Sequence, residues 1–196
     1  MKKYLYLHIL ILFACLSSCN KHDPVYYQFT DDEKKWIFYQ NSNPIYAVYD
    51  FDTLINTSGG DSIVIKRMQD VQAVVESHEY EDNYEKDNTL YYCAWGRAQL
   101  SPNLFLPPYS YFLGYCTVDA SKYDGSLHIS IDLVGIYNEK IDISNTLDTA
   151  LVQGNIFTDV YKYIDTSTNY KCIYLAKNYG FIKIELEDGR KIELIN

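Results

Sequence analysis

The chain ends in YLAKNYGFIKIELEDGRKIELIN, residues 174–196, and this stretch constrains the fold more than any other. Apolar and polar residues alternate with the period of two that a half-buried strand requires. Pairing Ile184 with Ile192 and Ile182 with Leu194 keeps the apolar side chains on one face and leaves Glu187-Asp188-Gly189 as the loop. A three-residue hairpin loop ends in the left-handed region, where glycine carries no steric penalty. Pairing Leu175 with Ile182 and Ile173 with Ile184 gives the preceding hairpin, with Lys177-Asn178-Tyr179-Gly180 as its turn. The prediction is a three-stranded antiparallel meander with one face on a core.

The pattern continues upstream. Tyrosine is abundant, 21 residues in all, and aromatic side chains favour strands. Strands are predicted near 45–51, 62–77, 89–100, 111–119, 126–137, 154–164, 171–176, 180–186 and 190–195. The run 62–77 is long, which predicts a bulge or bend near Gln69–Asp70. HEYEDNYEKDN, 78–88, reads as a solvated loop. TDDEKKWIFYQ predicts a helix of two to three turns, capped by Thr30 and Glu33 in a capping box, with Asp31 and Asp32 at the favourable end of its dipole. Trp36 and Ile37 lie on its apolar face, and NSNP at 41–44 stops it. The fold class is mainly β: an antiparallel curved sheet, sandwich or incomplete barrel of about nine strands with one short N-terminal helix.

The N-terminus follows different rules. Lys2 and Lys3 precede an apolar run from Tyr4 to Leu16, too short to span a bilayer, and then Leu16-Ser17-Ser18-Cys19. The segment resembles the signal of bacterial lipoproteins. The resemblance implies cleavage after residue 18 and acyl chains on Cys19, of which two or more hold a protein firmly at a membrane. Asn20, rather than aspartate, follows the cysteine, which points to the cell outer membrane, on either of its faces. Residues 19–28 then form a tether and 29–196 a single β-rich domain, whose working surface is expected away from the anchored end. Loss of Lys2 and Lys3 leaves 15 basic against 26 acidic side chains, a net charge of −11. Such acidity argues against nucleic acid as a partner.

TDDEKKWIFYQ, GGDSIVIK and YLAKNYGFIKIELEDGRKIEL are similar to segments of small lipoproteins of Gram-negative gut bacteria. The matching positions near the end are Tyr174, Ala176-Lys177, Gly180, Phe181-Ile182 and Lys183. The resemblance implies a location and an all-β fold, and no activity or functional residues.

Three cysteines remain beyond Cys19: Cys93, Cys116 and Cys172. A hairpin pairing Trp95 with Gly114 sets Cys93 opposite Cys116, as a disulfide or as two small buried residues. Cys172 reads as buried and inert. His128, Ser130 and Asp132 share a strand face, but side chains two apart stand about 6–7 Å from one another and point in parallel, whereas a triad must converge. The acids of 78–88 and Asp50, Asp52 and Asp61 lack an EF-hand spacing, so no metal and no cofactor are assigned. LSPNLFLPPYSYFLGY, 100–115, is a stiff apolar tip. Its Leu104, Phe105, Leu106, Tyr109 and Tyr111 either cover the open end of a sheet or form a binding surface for a glycan or a protein. Thr53, Ser62 and Thr149 each sit in an Asp-Ser/Thr-apolar triplet that resembles the O-glycosylation motif of some gut bacteria, and turn chemistry explains the triplets equally.

The expectation is therefore a lipid-anchored, non-enzymatic binding module of the cell envelope. The alternatives are a carrier of an apolar ligand in a half-open barrel and a hydrolase with an unrecognised site.

Overall fold

The computed structural model describes residues 22–56, 60–102, 116–133, 136–141, 146–164 and 170–195. Cys19 and the tip residues Leu104, Phe105, Leu106, Tyr109 and Tyr111 lie outside this set.

Among the described residues twelve strands and one helical turn form the domain. In chain order they are β1 (Val25–Tyr27), α1 (Asp31–Lys34), β2 (Ile45–Asn56), β3 (Gly60–Lys86), β4 (Thr89–Pro102), β5 (Cys116–Lys122), β6 (His128–Leu133), β7 (Ile136–Ile141), β8 (Thr146–Val152), β9 (Asn155–Tyr163), β10 (Tyr170–Ala176), β11 (Gly180–Leu186) and β12 (Lys191–Leu194). One antiparallel sheet runs β7-β6-β5-β4-β3-β2-β12-β11-β10-β9-β8 and is not closed into a barrel. β1 joins it by a short parallel pairing with β4.

β3 makes this geometry possible. Its first part pairs with β2 and its second with β4, so one strand belongs to both halves of the sheet. The halves enclose one core, in which Val118, Ile129 and Ile131 of β5 and β6 join Ile173, Ile182 and Ile192 of β10 to β12. The register slips between Val48 and Tyr49, opposite Gln69 and Arg67, which leaves Met68 as the extra residue of a bulge beside the position expected.

The terminal meander follows the sequence closely. Ile184 faces Ile192, and Gly189 takes φ +94° in its loop. The preceding hairpin keeps Ile173 opposite Ile184, but a slip after Tyr174 sets Leu175 against Phe181 instead of Ile182. Its turn is consequently one residue shorter than expected, with Asn178 and Gly180 both at positive φ.

Four expectations need correction. Residues 78–86 are strand, the outer part of β3, and Asp87-Asn88 is a two-residue turn with φ +51° and +61°. Both signs suit the primed turn that a twisted hairpin prefers. The predicted strand 126–137 is instead two paired strands, β6 and β7. β8 and β1 were not expected, and β1 lies within the segment read as tether.

The helix is the fourth. The capping box forms, with the Glu33 N–H on Thr30 Oγ1 at 3.2 Å and the Thr30 N–H on Glu33 Oε2 at 2.7 Å, but only one α-turn follows. The carbonyls that would extend it are taken. Lys35 accepts from the Asn178 N–H at 2.7 Å, and Ile37 accepts from the Ser77 hydroxyl at 2.6 Å. These bonds stitch the segment to both halves of the sheet, where Trp36 and Ile37 are buried. Ile37 lies against Gly96, where a Cβ would overlap its Cδ1.

Glu33 also accepts the Lys122 ammonium at 2.9 Å. Burial raises the Glu33 pKa, but the Thr30 N–H and Lys122 outweigh it and hold the carboxyl below its ordinary 4.5. Its stabilising effect is therefore full above about pH 4.5 and is lost as pH falls through the lowered value. Glu33→Gln is expected to cost about 1 kcal/mol near neutral pH. The difference in melting temperature from wild type should shrink as pH falls from about 6 to about 3.

The cysteine expectation also fails as a disulfide. Cys116 faces Leu100, seven residues beyond Cys93 on β4, or about 23 Å along the strand. Seven is odd, so Cys93 lies on the outer face and Cys116 on the core face. Cys93, Cys116 and Cys172 are buried thiols that are not bridged to one another. Burial raises the pKa of all three, that of Cys116 to about 12. Without reductant, all three should alkylate completely in denaturant and slowly in the native state. A disulfide mass in the unreduced protein would contradict this register.

Candidate functional site

Side chains alternate across β3 to β6, and the two faces differ sharply. Inward point Val75, Ala94, Ala98, Leu100, Val118, Ala120, Ile129 and Ile131, all buried. Outward stand aromatic and polar side chains in cross-strand register. Tyr80 of β3 is opposite Trp95 of β4, which is opposite Ser121 of β5, which is opposite His128 of β6.

The outward rings form two rows. In the first, Tyr80, Trp95, Tyr123 and His128 follow one another at centroid distances of 6.5, 6.4 and 4.5 Å, with planes within 19° of parallel at each step. In the second, Tyr84 meets Tyr91 at 4.9 Å, and Tyr91 meets Tyr27 of β1 at 6.1 Å. Tyr80, Tyr84 and Tyr123 remain 56, 42 and 38% exposed, so the rows are open to solvent. Offset and near-parallel rings attract one another, which holds the array in place before any ligand arrives.

Beside the first row lies a groove of about 270 Å³, lined by Trp95, Arg97, Asp119, Ser121, Tyr123, His128 and Ser130 among others. Arg97 bonds Asp119 through two parallel contacts, Nε to Oδ1 at 2.6 Å and Nη2 to Oδ2 at 2.9 Å. The fork fixes both side chains and leaves further guanidinium hydrogens and carboxylate lone pairs for a ligand. His128 Nε2 lies 3.0 Å from Asp124 Oδ1, and this contact, with the Ser126 N–H, lowers the Asp124 pKa. The groove thus has aromatic walls and a polar floor whose charges are paired.

The structure places the other sequence-predicted residues as follows. His128 and Ser130 line the groove, but His128 is turned to Asp124 across a short loop. Thr149 is exposed on β8, and the side chains of Thr53 and Ser62 are outside the described set. Cys172 Sγ lies 3.5 Å from Glu185 Oε2, away from the groove. Among the described residues no three His, Cys, Asp or Glu side chains gather as metal ligands would.

Sequence reasoning missed the aromatic rows because it read 78–88 as a loop. A usable signal was present. Tyr80 and Tyr84 are four apart, as are Tyr91 and Trp95, so each pair shares a strand face. A two-residue turn at Asp87-Asn88 brings both pairs into register at once.

Comparison with protein-family models, curated proteins and solved structures finds no match to this chain.

Proposed function

We propose that this chain is a glycan-binding module, non-enzymatic and held at the outer membrane by lipid on Cys19. The observation that carries the reading is the pairing, on one open face, of preorganised aromatic rings with the Arg97–Asp119 fork. Sugars present two surfaces, a C–H face and a rim of hydroxyls. The negative face of an aromatic ring attracts the C–H face, and a fixed donor–acceptor pair satisfies neighbouring hydroxyls. Rigid rings lose little entropy on binding.

The site supports a second point about the anchor. His22 donates its N–H to the Asn88 carbonyl at 3.2 Å, at the tip of the β3–β4 hairpin, and Tyr27 completes an aromatic row. Two residues, Asn20 and Lys21, separate Cys19 from His22, a reach of at most about 11 Å over three Cα–Cα steps. On this reading the aromatic face begins near the anchored end, whereas the sequence alone sets the expected working surface away from that end.

Among the described residues side chains such as Val118, Ile131, Ile173 and Ile182 pack between the sheet halves, and the open aromatic face favours the glycan reading over the carrier. Screening the full chain on an array of neutral glycans tests the proposal, with capture of one structural series as the expected result. A blank array, with binding instead to envelope proteins, would replace it with the protein-partner reading. Loss of the protein from the membrane fraction on Cys19→Ala tests the anchor.

A further inference from the structure

The ligand's size and charge follow from how the two aromatic rows are spaced, and this inference rests on the glycan reading above. Tyr80 and Tyr84 are four residues apart on β3, and so are Trp95 and Tyr91 on β4. Along β3 and β4 the Cα positions of the two rows are therefore about 13 Å apart, more than the length of a single pyranose ring. The space between them is not empty wall. A recess of about 80 Å³ lies there, lined by Asp82, Asn83, Tyr84, Cys93, Trp95 and Tyr123. Trp95 and Tyr123 line both this recess and the larger groove beside Arg97 and Asp119. The Tyr84 hydroxyl donates to the Tyr123 carbonyl at 3.4 Å and so links the two rows.

We infer that the face is an extended cleft of two subsites for a neutral oligosaccharide of three or more sugars, running along β4 from the groove at Arg97 to the row at Tyr91. One ring sits in the groove between Trp95 and the Arg97–Asp119 fork. The recess, too small for a whole ring, takes a hydroxymethyl or acetamido arm of the next. A further ring rests against Tyr84, the exposed ring of the second row. Charge selects against acidic glycans. The single guanidinium in the groove is already matched by Asp119, Asp82 lines the recess, and the whole chain carries a net −9. A polyanion finds no unmatched cation among these lining residues and meets a repelling field.

Calorimetric titration of the full chain with ladders of one to six sugars tests this, using β-1,4-glucan, β-1,4-N-acetylglucosamine, α-1,4-glucan and mannan fragments, with oligogalacturonate as the acidic comparison. In the series that binds, affinity should rise roughly tenfold between one sugar and four, the size of one added aromatic contact, and then level off. Tyr84→Ala, on an exposed ring, should weaken the tetrasaccharide about fivefold more than the disaccharide. Saturation-transfer NMR should mark protons on both terminal rings of the bound tetrasaccharide, a readout independent of the variant's stability. Equal affinity for one sugar and four, or saturation confined to one end, would overturn the extended cleft while leaving glycan binding in place. Tighter binding of oligogalacturonate would overturn the neutral ligand. Failure of every ladder would remove the glycan reading itself.

Discussion

A Gly180→Val chain is expected to lose about 4 kcal/mol of stability, because two independent penalties meet at that residue. Gly180 opens β11 at φ +73°, a region that side chains with a branched Cβ avoid. A Cβ there would also stand 2.6 Å from Cζ of Tyr39, whose ring covers the glycine. Tyr39 cannot retreat easily. Its ring packs against the core, and the segment that carries it is tied to the turn by the Gln40 N–H on the Asn178 carbonyl at 2.8 Å. Most domains are stable by about 5–15 kcal/mol, so such a loss lowers the melting temperature by many degrees. Adding Tyr39→Leu should restore part of the loss by removing the overlap but not the backbone strain. Thermal melts of the single and double variants check this. A Gly180→Val chain that melts like wild type would show that the helical segment is not packed on the β10–β11 turn.

Trp95→Ala should weaken the proposed glycan binding by about 2 kcal/mol, or roughly thirtyfold, while leaving the fold intact. Trp95 is half-buried and sits on the outer face, so truncation removes ring contacts to Tyr80 and Tyr123 without opening the core. The other tryptophan, Trp36, is buried under the Lys177 ammonium at 6.0 Å and belongs to the core. Trp36→Phe should therefore change stability more than binding. Titration calorimetry on both variants, with circular dichroism as the check on folding, separates the two roles. A Trp36→Phe loss of binding equal to that of Trp95→Ala would mean that the effect is structural.

What the sequence discloses and what it hides have physical reasons. The terminal meander is legible because each strand is local, alternating and closed by a residue suited to positive φ. The capping box is legible because it is a contact between neighbours. The length of the helix is not, since Asn178 and Ser77, far along the chain, take its carbonyls. The hairpin of β3 and β4 is hidden by its acids. Glu79 and Glu81 occupy the inward positions of a strand that runs on past the apolar core, and Glu79 meets Lys34 at 2.8 Å instead of an apolar neighbour. Such a strand looks like a loop when read alone. The Cys93–Cys116 register fails because it assumed where the chain turns within 101–115, and an odd error in register exchanges the two faces of a sheet. The candidate site inherits both failures. Its side chains are visible in the sequence as tyrosines and a tryptophan, but their assembly on one face needs the β3–β4 pairing.

The most direct measurement of the central claim uses Trp95 as its own reporter. In a Trp36→Phe chain, Trp95 is the sole tryptophan, and it lies in the groove wall. Titration with the glycan series captured on the array should shift or quench its emission with the same midpoint as calorimetry. Arg97→Ala should move both midpoints together to weaker binding. Calorimetric binding that leaves Trp95 emission unchanged would place the glycan elsewhere on the molecule and contradict the assignment of this face.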